Sequence, residues 1–382
     1  MERVKQFAGQ LVGSSGVGAL QRQNPDDVVI TMAFRSPLCK ARKGGFKDTK
    51  TDELMLELFK HSISQSHIDP ALVNDIAVGT VLTPNAMYHA RAAALAAGFP
   101  DTTGVQVVNR FCSSGLMAVT SIANQIHAGQ IEVGLAVGVE SMSQNPDMGG
   151  PEQSADIAAH GPAADCKKPM GWTSENVAAD FNVSREDQDA YAARSFQRAE
   201  AAQKAGFFAK EIVPFAAYQV DAKTGVRTKV VVDKDDGIRA GTTKETLGKL
   251  RSAFPQWTPS TTTGGNASQI TDGAASVLLM TRRKANELGL KIMAKYITTA
   301  IAGLPPRIMG IGPVYAIPQA LKQAGLTKDD VDLYEINEAF ASQCLYSLRA
   351  LELDDNKVNV NGGSIAFGHP LDKHSPFVED CL

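Results

Sequence analysis

From Val28 onward, short apolar runs alternate with stretches whose apolar residues recur at three- and four-residue spacing. Short continuous apolar runs read as buried strands and the longer periodic stretches as helices, so their alternation predicts βαβ units, a largely parallel sheet and an α/β fold. The strand candidates are Val28–Met32, Asp75–Val81, Val105–Asn109 and Val133–Val139, with helices over 52–64 and 116–127. A polar stretch from about 145 to 262, carrying its own helix around Arg185–Ala205, interrupts the rhythm before Ala274–Met280 resumes it. That is the pattern of an inserted loop domain. Beyond about residue 283 a second series begins, with Lys291–Ile301, Val331–Ile336 and Val358–Val360 as strands, and its similar rhythm points to internal duplication.

Residues 1–27 differ in character: they are rich in Gly, Gln and Ser and end in Gln-Asn-Pro-Asp-Asp, which reads as a detachable leader. The expected organisation is therefore a leader (1–27), a first half (28–282) with its insertion, and a second half (283–382). A chain of 382 residues with 43% apolar content can bury a large core. Its 38 basic and 41 acidic residues are interspersed, so no electrostatic footprint for nucleic acid appears. No apolar run reaches the length of a membrane span, and the leader lacks the apolar centre of a secretory signal. The five cysteines, at 39, 112, 166, 344 and 381, make neither an even disulfide framework nor a C-x-x-C metal pair. Free thiols are expected, one of them reactive, and no metal.

The candidate nucleophile is Cys112. In Val107-Val108-Asn109-Arg110-Phe111-Cys112-Ser113-Ser114-Gly115 an apolar strand runs through a polar turn into a helical pattern. Unpaired amides and the macrodipole at a helix start favour a thiolate, and a sharp strand-to-helix turn projects the sulfur into a pocket. A buried core cysteine is the alternative for any single thiol. Two distant segments weigh against it: Asn337-Glu338-Ala339-Phe340, which follows an apolar run and opens a helix, and Gly362-Gly363-Ser364-Ile365-Ala366-Phe367-Gly368-His369-Pro370, which presents a histidine among glycines. Cys, His and Asn together can generate a thiolate, hold a thioester and polarise its carbonyl.

These segments, with Gly138-Val139-Glu140-Ser141-Met142-Ser143, Met170-Gly171, Thr173-Ser174-Glu175-Asn176-Val177-Ala178, Asn266-Ala267-Ser268 and Asp272-Gly273-Ala274-Ala275, resemble the thiolase family in the expected order from about residue 28 to 371. The leader and Arg42-Lys43-Gly44-Gly45-Phe46-Lys47-Asp48-Thr49 resemble its peroxisomal 3-ketoacyl-CoA branch. The resemblance implies duplicated βαβ halves and thiolytic cleavage of 3-ketoacyl-CoA in fatty-acid β-oxidation, with coenzyme A as co-substrate and no metal or prosthetic group. Cys112 is then the nucleophile, His369 the base for it and for the CoA thiol, and Asn337 the holder of an oxyanion-stabilising water. Arg239, Met170, Phe254 and Ser268 are implied as the CoA contacts, and a homodimer as the assembly. Arg3-Val4, a five-residue spacer and Gln10-Leu11 resemble a type 2 peroxisomal targeting signal, which makes an import receptor a partner; a mitochondrial presequence is the alternative reading of Arg3, Lys5 and Arg22.

The resemblance lapses after Leu371, where Asp372-Lys373-His374 replaces the family's continuation toward a second catalytic cysteine in a Cys-x-Gly motif. Cys381 does not match that cysteine in spacing or flanks. The second half is therefore expected to be incomplete. Two further readings stay open: a decarboxylating condensing enzyme, which needs only the Cys, His and Asn set, and a noncatalytic acyl-CoA-binding remnant.

Overall fold

The structure, a computed structural model, describes residues 16–369. The targeting pattern at Arg3–Leu11, the divergent tail and Cys381 lie outside the described residues. The strands are β1 Val28–Arg35, β2 Cys39–Lys40, β3 Asp75–Gly79, β4 Gly104–Val108, β5 Val133–Ser141, β6 Phe215–Val220, β7 Arg227–Val232, β8 Thr271–Thr281 and β9 Ala294–Lys295. The principal helices are α1 Thr51–Ser66, α2 Ala86–Ala97, α3 Ser114–His127, α4 Met170–Asp180, α5 Arg185–Lys204, α6 Gly312–Ala324 and α7 Ala341–Leu351.

One sheet runs β4-β3-β5-β8-β1-β9 with β2 added on β8, and β6 and β7 form a separate hairpin. Parallel pairing is confined to β4-β3-β5; β8 is antiparallel to both β5 and β1, and β9 is antiparallel to β1. The expected largely parallel sheet is thus corrected to a mixed one. All nine residues of β5 and all eleven of β8 are buried. A strand covered on both faces reads as a continuous apolar run in either direction, so its sense is not written in its pattern.

The two faces follow strand alternation. Leu54, Met55, Leu58 and Phe59 of α1 and Ala90, Ala93 and Ala94 of α2 pack on Ile76, Val78, Leu135, Val137 and Leu278. Ala118, Ile122, Ala123 and Ile126 of α3 pack on Ala77, Ala136, Val277 and Leu279 from the other side. Each large aliphatic or aromatic side chain so buried contributes roughly 1.5–3 kcal/mol. α5 opens at Ser184, whose side chain accepts from the Asp187 amide, with Glu186 and Asp187 in its first turn. Its Tyr191, Phe196 and Ala199 share a third core with Ile336, Ala341, Cys344, Leu348, Val358 and Ile365. The inserted stretch and the second series are therefore packed together.

Three strand expectations in that second series are corrected. Of Lys291–Ile301 only Ala294–Lys295 is extended and paired. Val331–Ile336 and Val358–Val360 meet at one isolated parallel bridge, Tyr334 with Val358. The ladder ends there because Asn359, at φ 47°, turns the chain and replaces it with its own carboxamide. Its Oδ1 accepts from Ile336 N at 2.8 Å and its Nδ2 donates to Ile336 O at 2.8 Å.

A buried ion cluster holds β1 to the inserted stretch. The Arg35 guanidinium pairs with Asp235 through both terminal nitrogens (2.6 and 2.7 Å) and with Glu211 through Nε. Asp235 also accepts from Leu38 N at 2.7 Å. Arg35→Ala leaves both carboxylates buried without their cation and is expected to lower the unfolding free energy by about 3–5 kcal/mol, read from denaturant titration. A loss below about 1 kcal/mol would show that the two carboxylates are not left buried and uncompensated.

Candidate active site

Cys112 sits where β4 passes into α3. The turn is built by short-range hydrogen bonds: Phe111 N donates to Asn109 Oδ1 (3.0 Å), Ser113 N to Arg110 O (3.1 Å) and Ser114 N to Phe111 O (3.0 Å). Phe111 takes φ 46°, a left-handed conformation uncommon for a bulky residue. The bend is thereby sharp enough to leave Cys112 two residues before the helix. α3 can start so close to the sheet because β3 ends in Gly79: a Cβ there would lie 2.6 Å from the Ser114 carbonyl carbon and 2.7 Å from Gly115 N. Glu140, fully buried at the end of β5, braces the neighbouring loop by accepting from Val81 N (2.9 Å), Leu82 N (3.0 Å) and Thr83 Oγ1 (3.2 Å). Asn109 Nδ2 in turn donates to Val81 O at 3.1 Å.

The second wall comes from the far end of the chain. Asn266–Ser268 pairs with Ala339–Ala341 through Ser268 N to Ala339 O and Ala341 N to Asn266 O, each 2.9 Å. This lays Ser268 against Ala339, two residues after Asn337. The short helix Ser364–Phe367 then delivers His369, whose N donates to Gln269 O at 3.0 Å. Gln269 Nε2 donates back to Ile365 O (3.1 Å) and Ala366 O (2.6 Å). Gly368 stands at φ 103° against Thr271, where a Cβ would come within 2.1 Å of Thr271 Cγ2. His369 is 5% exposed, and Asn337 Nδ2 lies 3.4 Å from its Nε2.

Cys112, Asn337 and His369 line one cavity of about 670 Å³, together with Met170 and Ser268. Arg239 and Phe254 do not line it. Phe254 packs on Gly171 at the start of α4 and beside Trp257, while Arg239 is exposed, donates to Gly264 O at 3.3 Å and lies over the Phe196 ring. The cavity wall also takes Met117, Met142, Thr173, Ile301, Leu304, Met309 and Phe340. Sequence reasoning placed Met142, Thr173 and Phe340 within motif segments without assigning them to the cavity, and it missed the apolar Met117, Ile301, Leu304 and Met309 because nothing separates them from core residues by pattern. It also passed over Glu140 and Glu338, although a carboxylate directly after an apolar run is the informative exception in a buried segment.

The cysteines differ in chemical standing. Burial pushes the Cys39 and Cys344 thiols well above their ordinary range, with Asp236 and Glu338 respectively adding to the effect. Cys166 is exposed, and Cys112 is half-buried in the cavity wall. A nucleophile needs access together with a base and donors nearby, and of these four cysteines only Cys112 lines the cavity that His369 and Asn337 also line. No group of three or more His, Cys, Asp or Glu side chains is placed to hold a metal ion among the described residues, and no helix there is long and apolar enough to cross a membrane.

Known proteins resemble this chain in sequence and fold. Residues 28–283 match the family model described as thiolase, N-terminal domain, and residues 290–375 that of thiolase, C-terminal domain. The chain is 48% identical over 376 residues to 3-ketoacyl-CoA thiolase A, peroxisomal, of Candida tropicalis, covering 97% of this chain and 90% of that one. It is 46% identical to 3-ketoacyl-CoA thiolase B, peroxisomal, of Rattus norvegicus, with 97% and 89% covered. The solved dimeric peroxisomal thiolase of Saccharomyces cerevisiae superposes with a TM-score of 0.87 at 43% identity, over 94% of this chain and 91% of that one. A second solved structure of peroxisomal 3-ketoacyl-CoA thiolase from that yeast, described as five layers built from two core domains of identical topology, gives 0.73 at 39% identity, with 92% and 88% covered.

The seat of Cys112 yields a direct check. Gly79→Ala forces α3 away from β3 and is expected to cost about 1–3 kcal/mol of stability by overpacking, and to slow alkylation of Cys112 by iodoacetamide in the folded protein. Unchanged stability together with unchanged alkylation would contradict the close approach at that glycine.

Proposed function

The chain belongs to the thiolase family, and from that premise we propose that it cleaves 3-ketoacyl-CoA with coenzyme A, giving acetyl-CoA and an acyl-CoA shortened by two carbons, in peroxisomal fatty-acid β-oxidation. The observation that carries the reading is the convergence of Cys112, Asn337 and His369, three residues from distant parts of the sequence, on one cavity. The relatives named peroxisomal 3-ketoacyl-CoA thiolases support both the reaction and the compartment. A homodimer is proposed from the dimeric yeast neighbour, and an import receptor as a partner from the pattern Arg3-Val4 to Gln10-Leu11. Coenzyme A serves as co-substrate, and the chemistry calls on no metal.

In the proposed sequence of steps the Cys112 thiolate adds to C3 of the substrate, forming a C–S bond and an oxyanion. His369 takes the proton of Cys112 as the thiolate forms; collapse of the adduct breaks the C2–C3 bond, and the leaving acetyl-CoA enolate receives at C2 one proton equivalent in return, which leaves His369 neutral again. In the reading the resemblance implies, a cysteine of a Cys-x-Gly pair delivers that proton to the enolate, and none of the five cysteines here is followed by such a glycine. His369 next takes the proton of an incoming CoA thiol, whose sulfur adds to the thioester carbonyl and displaces Cys112. Asn337, beside Nε2 of His369, supports the oxyanion through a held water. Met170 and Ser268, which line the cavity, are assigned to the pantetheine arm in this reading. The resemblance assigns Arg239 to the nucleotide end of CoA and Phe254 to the pantetheine, and neither residue lines the cavity.

The thioester half-reaction can be read without the enolate step. Incubation with acyl-CoA is expected to add one acyl mass to the Cys112 peptide and release free CoA. Cys112→Ser is expected to abolish the adduct, and His369→Ala to slow it roughly a hundred- to ten-thousand-fold. Absence of any adduct in the folded chain, or release of carbon dioxide from malonyl-CoA without dependence on CoA, would overturn the proposal.

A further inference from the structure

Asn337 is held on both sides. Ser364 Oγ donates to its Oδ1 at 2.9 Å, and its Nδ2 lies 3.4 Å from His369 Nε2. Its main-chain oxygen accepts from Gln343 Nε2 at 2.7 Å, so the backbone that carries the carboxamide is fixed as well. Ser364 is itself buried at the start of the short helix that delivers His369. That helix is anchored through its next residue, whose amide donates to Glu338 Oε2 at 3.2 Å. The preceding Gly363 N donates to Ser195 Oγ at 3.0 Å, and Ser195 Oγ donates to the same Glu338 oxygen at 2.6 Å.

A carboxamide is two-faced: half a turn about its last bond exchanges an acceptor for a pair of donors. With its oxygen against the Ser364 hydroxyl, it turns N–H toward the imidazole. An N–H directed at Nε2 is satisfied by a neutral ring that keeps its proton on Nδ1 and its lone pair on Nε2. A thiol that displaces the carboxamide N–H from that lone pair then finds Nε2 without a proton and able to take its own. With the hydroxyl removed, the carboxamide is free to present its oxygen instead, which favours a proton on Nε2 and blocks the base.

We propose that Ser364 is a positioning residue for acyl transfer, its hydroxyl orienting the Asn337 carboxamide so that His369 keeps Nε2 unprotonated toward the cavity. The inference rests on the thiolase reading for its kinetic consequence, but not for its structural one. The test therefore has two readouts. In full-length protein labelled with 15N-histidine, the resonance of His369 is identified among the seven histidines by its loss in His369→Ala. Its neutral ring is expected to show the Nδ1–H tautomer in the native protein. Ser364→Ala is expected to admit the Nε2–H tautomer, and Ser364→Thr, which keeps the hydroxyl, to restore the native pattern. In acyl transfer from acyl-CoA to Cys112, Ser364→Ala is expected to lower kcat about five-fold, the worth of one net hydrogen bond, with little change in KM.

Identical ring signals in the native protein and Ser364→Ala would overturn the inference, as would a lower Tm with those signals unmoved. An Nε2–H tautomer in the native protein would overturn it as well. The expected tautomers without any acyl transfer in the native protein would leave the orientation standing and sink the thiolase reading instead.

Discussion

Glu338, 1% exposed, lies at the junction of three segments that must be held in fixed relation if His369 is to face Cys112. Its Oε1 accepts from Tyr191 Oη at 3.0 Å and Asn359 Nδ2 at 2.9 Å, and its Oε2 from Ser195 Oγ at 2.6 Å and Ile365 N at 3.2 Å. Tyr191 and Ser195 belong to α5 in the inserted stretch, Asn359 to the turn that closes the Tyr334–Val358 bridge, and Ile365 to the helix before His369. A buried carboxylate is tolerated only when its lone pairs are filled, so these donors cannot drift apart without a large desolvation penalty. One side chain thereby couples the insertion to the histidine-bearing segment.

The same logic extends to the other polar stretches that the family resemblance picked out. Glu175 accepts from Thr261 N at 2.9 Å and Thr262 N at 2.8 Å, while Ser174 Oγ bonds both Thr262 Oγ1 and Ser342 Oγ at 2.8 Å. Asn266 Nδ2 donates to Asp189 Oδ1 at 2.9 Å, and Asp272 accepts from Ser143 N at 2.8 Å and Ser141 Oγ at 3.2 Å. Glu175, Asn266 and Asp272 do not line the cavity, and Ser174 reaches it only from within this network. They form satisfied buried networks that fix where the cavity-lining residues point, and such networks lose much when one member is removed. The chemistry sits on a rigid frame built largely from carboxylates and hydroxyls.

The first half was legible because its physics is local. Val28–Arg35, Val133–Ser141 and Thr271–Thr281 are dense apolar runs, and α1 and α3 carry apolar residues at helical spacing that cover opposite faces of the sheet. The placement of Cys112 before a helix was readable for the same reason. Strand sense was not, since β8 returns after a long insertion and its pattern is the same in either direction. Nor was the fate of Val331–Ile336 and Val358–Val360, where a single side chain, Asn359, takes over the pairing that two apolar runs advertise. Arg239 and Phe254 show a further limit. A motif order carries residues onto positions, but which of them reach a given cavity depends on side-chain direction, and Phe254 is turned onto Gly171.

The central claim is that a thiol at the start of α3, an imidazole and a carboxamide act on one thioester. A crystal structure of the full chain with coenzyme A bound tests it most directly. The account predicts the CoA thiol in the cavity between Cys112 and His369, within hydrogen-bond reach of Nε2, with the pantetheine arm passing Met170 and Ser268. A CoA thiol seated elsewhere, or a Cys112 sulfur turned into the sheet core away from His369, would contradict it.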